Sequence, residues 1–253
     1  MIDGHVWFSG TGFLRRMRRK AWTWGAVLLL LQSLAAPVYA LPSGGTVAAG
    51  AADIVPDEIA GTVTVTQTTP RVVIDWNTFD VAAGESVDFD QAGADWVALN
   101  RVLDTNPSQI DGVLSADGQV FIVNPNGIVF GPGAQVNVGG LVASTLAIDS
   151  DDFLSGEYLF AGSGGSVQNF GDIIAKPNGY VAQIGKEVSN EAGGVIEAER
   201  GSVSLAAGGS VKLVLGAGGR LTAQVESGLS GAKAENKAGD GTTADARIAA
   251  DGG

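Results

Sequence analysis

Cysteine is absent from the 253 residues, and histidine occurs once, as His5. Without thiols the chain is no disulfide scaffold, so burial and backbone hydrogen bonds must hold it. The lone histidine lies in a stretch read below as a removable leader. The usual zinc sites, haem ligation and Cys or His catalytic dyads are therefore excluded, and no cofactor or metal is expected. Positive charge is also scarce, with 15 Lys and Arg against 27 Asp and Glu. Nucleic acid and anionic membrane both need a cationic face, and neither is expected as a partner.

The scarcity deepens once the leader is removed. Arg15, Arg16, Arg18, Arg19 and Lys20 precede a neutral, mostly apolar run from Ala21 to Leu31. Val38-Tyr39-Ala40 then offers small residues at the positions a signal peptidase reads, which sets cleavage between Ala40 and Leu41. The apolar core is too short for a membrane span. Residues 1–40 thus read as a secretory signal, and their removal leaves 10 basic and 26 acidic residues, a formal charge of −16. Met17-Arg18-Arg19-Lys20 would begin a complete shorter signal, so residues 1–16 are an over-extended start or a genuine extension.

Glycine is plentiful, 38 of 253, yet Gly and Pro together stay below the share that marks disorder, and hydrophobic residues reach 45%. Short apolar alternations recur between Gly, Asn and Asp: Val63/Val65, Val87/Phe89, Val120/Ile122, Val203/Leu205 and Val211/Leu213/Leu215. That period, with β-branched residues and turn punctuation, predicts short strands and a mature protein that is nearly all β. The strands also repeat. Asn169-x-Gly171 returns as Asn190-x-x-Gly193, and Gly179-Tyr-Val181-x-x-Ile184 returns as Gly201-Ser-Val203-Ser-Leu205. An Ile-x-Ala element occurs at Ile173, Ile196 and Ile248. A repeat near 20 residues predicts a β-solenoid of roughly ten coils stacked about 4.8 Å apart. A sandwich would lack the fixed repeat and a propeller would need about twice its length. The calcium-binding nonapeptide solenoid fails because Gly216-Ala217-Gly218-Gly219-Arg220 lacks the Asp. Residues 53–100, richer in large side chains, read as a cap and first coils.

The segment Gly118-Gln-Val-Phe-Ile-Val-Asn124-Pro125-Asn126-Gly127-Ile128-Val-Phe-Gly131 is a buried strand, a tight turn and a second strand. Pro125 presets φ, while Asn126 and Gly127 tolerate positive φ. With Ile74-Asp75-Trp76-Asn77-Thr78-Phe79-Asp80-Val81, Asn100-Arg101-Val102, Asn106-Pro107-Ser108-Gln109-Ile110-Asp111-Gly112 and Ala143-Ser144-Thr145-Leu146, it resembles the secretion domain of the two-partner secretion family. These are exported proteins of the filamentous-haemagglutinin type, and the similarity is greatest to the high-molecular-weight adhesin branch. The resemblance covers roughly three quarters of the mature chain. It implies a right-handed parallel β-helix with an N-terminal cap, Sec export, and passage unfolded through the periplasm of a Gram-negative bacterium. The POTRA domains of an outer-membrane β-barrel transporter would recognise it, and the folded product would be secreted or sit at the cell surface. Asn124 to Ile128 match the family hallmark, with Asn100, Arg101, Asn106 and Pro107 as a secondary motif. A second hallmark of other branches, Asn-Pro-Asn-Leu, is absent around Asp90 to Val97, as is the long extended signal.

Plainer readings stand beside these. Asn124 to Gly127 are read first as a coil corner and second as a transporter contact. Arg101 is taken as a salt-bridge partner, Asp149 to Asp152 as a solvated acidic loop before a calcium site, and Trp76 and Trp96 as core or cap residues before a sugar platform. The rival functions are a carbohydrate-active β-helix enzyme and a glycan-binding module, with host-cell glycans bound through a full-length protein. A hydrolase needs carboxylates about 5–10 Å apart across a groove. Asp151/Asp152 and Glu197/Glu199 are instead neighbours along the chain with no basic partner nearby, and the expectation is a secretion domain without enzyme activity.

The domain plan is a signal over 1–40, a secretion domain over 41–226, and a loop with the start of a truncated coil over 227–253. Ser227 to Asp245 reads as a loop leaving the stack. Ile248-Ala-Ala250-Asp-Gly-Gly253 matches Ile196-Glu-Ala198-Glu-Arg-Gly201, but the strand that follows the earlier copy is missing. The reading frame is therefore expected to continue, or to have been cut by a frameshift or contig end. Resequencing the locus checks this, and a true stop codon after Gly253 with a stable secreted product would refute it.

Overall fold

A coil of short strands cannot bury its apolar side alone, so each strand stacks on the equivalent strand of the coil before. The computed structural model describes residues 40–216, 220–237 and 247–249. The leader reading up to Tyr39, the alternative starts and the final residues 250–253 lie outside the described residues. The described residues form a right-handed parallel β-helix of about six turns, 60% strand and 3% helix.

One face rises through β3 (Thr62–Gln67), β5 (Ser86–Asp90), β8 (Val113–Ala116), the first halves of β11 (Gln135–Ser144) and β15 (Asp172–Gly185), β17 (Val195–Ala198) and β22 (Arg247–Ala249). A second holds β4 (Arg71–Trp76), β6 (Val97–Val102), β9 (Gln119–Val123), the second halves of β11 and β15, and β18 (Ser202–Ala207). The third is β7 (Ser108–Ile110), β10 (Ile128–Phe130), β14 (Ser166–Asn169), β16 (Glu187–Asn190) and β21 (Lys233–Asn236). Val63, Val87, Leu114, Val136, Ile173, Ile196 and Ile248 stand over one another along the first face. This apolar row is the spine of the interior core. The cap is antiparallel: β1 (Thr46–Ala49) pairs with β4 and β2 (Ala52–Asp57) with β3. It therefore starts upstream of the boundary read from large side chains.

About six turns rather than ten follow from excursions. Rungs of the first face lie 22 to 27 residues apart, except for Val136 to Ile173 (37) and Ile196 to Ile248 (52). The first long interval contains β12 (Ala147–Ile148), helix α1 (Ser150–Ser155) and β13 (Tyr158–Ala161); the second contains β19 (Ser210–Leu215) and β20 (Leu221–Ser227). These pair antiparallel in the order β12-β13-β19-β20. They enclose a second core against the outer side of the second face. Phe121 sits at its centre, with ring centroids 5.1 Å from Tyr158, 5.7 Å from Phe153 and 6.3 Å from Phe160. The strand Val120-Phe121-Ile122-Val123 is thus buried on both sides: Val120 and Ile122 face inward, Phe121 and Val123 outward.

Several local readings change. Asp149 to Asp152 are no loop: the Asp149 carboxylate accepts from the N–H groups of Asp151 and Asp152 and caps α1, which buries Phe153. The stretch from Ser227 does not simply leave the stack. The proposed 226/227 boundary falls inside β20, and Lys233–Asn236 return as a rung on β16. Backbone pairing and an asparagine ladder, Asn169 to Asn190 at 2.8 Å and Asn190 to Asn236 at 2.9 Å, recruit this polar strand without apolar alternation. Gly194, not Gly193, repeats the station of Gly171, since each accepts from the Asn side chain ahead of it. Ile184 lies across from Ala206, and Leu205 across from Gln183.

Phe121→Ala should cost about 3–5 kcal/mol in denaturant unfolding, the range for emptying a buried aromatic site. Ile174→Ala, on the outer face of β15 and 43% exposed, should stay within about 0.5 kcal/mol.

Candidate functional site

The turn Asn124 to Gly127 joins the second face to the third, between β9 and β10. A corner in a parallel stack leaves backbone groups without ladder partners, and short polar side chains must satisfy them. Asn124 does this while fully buried. Its Nδ2 donates to the Asn106 carbonyl at 2.9 Å and the Ser108 hydroxyl at 3.1 Å. Its Oδ1 accepts from the Asn126 N–H at 3.0 Å and the Asn126 amide at 3.1 Å. Asn126 Nδ2 also donates to the Asp104 carbonyl at 2.9 Å.

Gly127 closes the turn, its N–H donating to the Asn124 carbonyl at 3.2 Å. Its φ of 137° disfavours any side chain, and a Cβ there would lie 3.3 Å from Pro107 Cβ and 3.4 Å from the Ser166 carbonyl. Ile128 then enters the interior core, in register with Ser108 below and Val167 above. The Gly127 carbonyl accepts from the Ser108 N–H at 3.0 Å. Asn106, Pro107 and Asn124 to Ile128 therefore form one stacked double corner. Pro125, Asn126, Thr105, Asn106 and Pro107 are exposed on it.

The rest of the secondary motif serves elsewhere. Asn100 is fully buried on β6, accepting from the Trp76 indole N–H at 2.9 Å and donating to the Phe121 carbonyl at 3.2 Å. Arg101 is a salt-bridge partner, as read: its Nε lies 2.7 Å from Asp75 Oδ1, and another guanidinium nitrogen donates to the Ser150 hydroxyl. Ala40 and Leu41 lie on the first coil, where the Ala40 N–H donates to Glu85 and Leu41 packs on the interior core. Leu103, 63% exposed beside the corner, was not singled out from the sequence. Strand parity after the inward Val102 would have marked it as outward-facing.

The acidic pairs differ from their reading in one respect. Glu197 pairs with Arg247 and Glu199 with Arg200, so both have basic partners. A cleft of about 400 Å³ is lined by Asp117, Gln119, Lys176, Tyr180 and Arg220, and Lys176 holds Asp117 in an ion pair at 2.7 Å. Burial pushes the Tyr180 phenol well above its ordinary pKa. Trp76 is buried in the core, and Trp96 is half-buried. Among the described residues no group of His, Cys, Asp and Glu has the arrangement to hold a metal ion.

The family model described as the TPS secretion domain matches residues 39–251. Two curated relatives, both heme/hemopexin-binding proteins of Haemophilus influenzae, are 41% identical over 122 residues and 40% identical over 101. Those matches cover 47% and 40% of this chain but only 13% and 11% of the relatives, so the chain spans a small part of their length. The crystal structure of the HMW1 secretion domain from Haemophilus influenzae superposes with a TM-score of 0.69 at 30% identity, covering 76% of this chain and 51% of that one.

Asn124→Ala should destabilise the fold by about 1–3 kcal/mol in thermal or denaturant unfolding, because it strands buried partners of the side chain. Gly127→Val should do so as well, through its left-handed backbone. Unchanged unfolding midpoints for both would show that the corner carries no structural load.

Proposed function

The chain belongs to the TPS secretion domain family, and we propose how this domain performs that role in its own protein. It is a secretion domain of adhesin- or hemophore-like exoproteins, secreted from a Gram-negative bacterium with a TPS-type outer-membrane transporter as partner. In the proposed route, residues 1–40 direct Sec export and are removed. The transporter's periplasmic POTRA domains then engage the unfolded chain, and folding starts at the cap outside the cell.

The observation that carries this reading is the topology. Among the described residues, β1 and β2 alone close the bottom of the stack antiparallel, and each later rung on the three faces pairs parallel on the one before. A chain emerging with its N-terminus first meets its folding template at once. Each added coil then buries apolar surface at about 25 cal/mol per Å², which opposes backsliding without nucleotide.

The corner of Asn106, Pro107 and Asn124 to Ile128 enters this scheme mainly as a fold element. Its amides are engaged within the corner, which supports a turn role ahead of direct transporter contact. Its exposed residues, Asn106, Pro107, Pro125 and Asn126, remain the part a partner could touch.

Deleting residues 41–145 should abolish secretion through the cognate transporter, and the mature chain should bind the transporter's periplasmic domains in a pull-down. Efficient secretion of the deletion would defeat the assignment. Asn126→Ala separates the two roles of the corner: lost stability with retained transporter binding fits a turn, whereas unchanged stability with lost binding assigns direct recognition.

A further inference from the structure

The first coil buries a carboxylate without a counter-ion. Glu85 lies just ahead of β5 and is 3% exposed. Its Oε2 accepts from the Ala82 N–H at 2.7 Å, and its Oε1 accepts from the Ala40 N–H at 2.8 Å. Its backbone is fixed in turn, with its N–H on the Ala82 carbonyl and its carbonyl receiving the Val113 N–H, both at 2.9 Å. Among the described residues no Lys or Arg pairs with it. Other acids crowd the site. Burial pushes the Asp80 carboxyl up, a hydrogen bond from the Gln109 N–H opposes this, and the charges of Asp104 and Glu85 push it further up. A buried charge is costly unless paired, and two neutral amides are a poor substitute for a cation.

We propose that Glu85 is the binding site for the α-ammonium group that removal of the leader creates at Leu41. Processing itself then supplies the missing counter-ion. The proposal rests on the reading of residues 1–40 as a leader cleaved between Ala40 and Leu41. Hydrolysis of that peptide bond consumes one water. The new carboxylate leaves on Ala40 with the leader, and the new amine stays on Leu41 and takes up a proton. With the leader attached, Glu85 Oε1 is met by the neutral N–H of Ala40; in the processed chain, the ammonium stands one residue along from the nitrogen it replaces. The segment is already held to the first coil. Leu41 packs on the interior core, the Ser43 N–H donates to the Thr78 carbonyl at 3.0 Å, and the Ser43 carbonyl accepts from the Asn77 N–H at 2.9 Å. The leader is gone before the chain folds, so the first coil closes around a processed N-terminus whose charge lies beside the base of the stack.

The test is the reactivity of the α-amine toward an acylating reagent at pH 7, followed by mass spectrometry. Three chains are compared: one beginning at Leu41, released from a fusion; the same chain with Glu85→Gln; and one beginning at Val38 with Glu85 intact. A free α-amine has a pKa of about 7.7–8.0, and each unit of upward shift cuts its reactive fraction about tenfold, so the Leu41 amine should react at least about fivefold more slowly than the other two. The chain starting at Val38 keeps the comparison valid even if Glu85→Gln fails to fold. Equal rates for the Leu41 and Val38 chains would overturn the proposal. The leader boundary is judged separately, by the N-terminal mass of the exported protein: a start elsewhere sinks the cleavage reading but leaves the amine rates to decide the role of Glu85.

Discussion

Parallel, in-register stacking is the constraint on which the rest of this structure depends. Each rung takes its backbone partners from the coil before, so a residue's place in the cross-section is inherited by the residue above it. An inward position in one coil is inward in all, and must be apolar throughout. The row from Val63 to Ile248 obeys this across every rung of the first face. Asn100, a polar group that does point inward, is answered by the indole of Trp76. At the corners the ladder lapses, and asparagine side chains replace it: Asn124 on one level, Asn169 and Asn190 on others.

The same constraint leaves the second core to be completed by later segments of the chain. The outer side of β4, β6 and β9 carries Val73, Val97, Leu99 and Phe121, for which the early segment contributes only Ala49 as cover among the described residues. Their cover, Phe153, Tyr158, Phe160, Val211 and Leu213, comes from excursions that leave the stack and pair with each other. A chain crossing a membrane N-terminus first would form its interior core progressively and shield this outer surface only afterwards. The solenoid is thus a sequential structure held by one non-sequential clasp.

The corner motif shows the limits of reading a site from residue types. Turn chemistry correctly located Asn124 to Gly127 between two strands, and the stacked geometry unites them with Asn106 and Pro107. Asn100 and Arg101, neighbours in sequence and part of the same resemblance, point to opposite sides of β6, one to the interior and one to Asp75. Strand parity separates them, and a motif written as a string hides that. The acidic run at Asp149 is solvated as read, but it caps and opens a helix rather than forming a loop; nothing local reveals that Phe153 has a pocket waiting, because the pocket is made of strands far earlier in the chain.

What the sequence by itself determined is whatever depends on local period and on repetition: the all-β class, the solenoid, the equivalence of Asn169 with Asn190 and of Ile196 with Ile248, and the turn at Asn124. These are legible because alternation assigns each side chain to a face, and a repeat assigns each face to a coil. Only the tertiary structure decided the number of turns, the two excursions and their shared sheet, the recruitment of Lys233–Asn236 as a rung, and the meeting of Ala40 with Glu85. Those depend on which outward surface a distant segment covers, and on backbone edges that accept any strand able to reach them. Neither leaves a local pattern, because the interaction energy lies between segments and not within one.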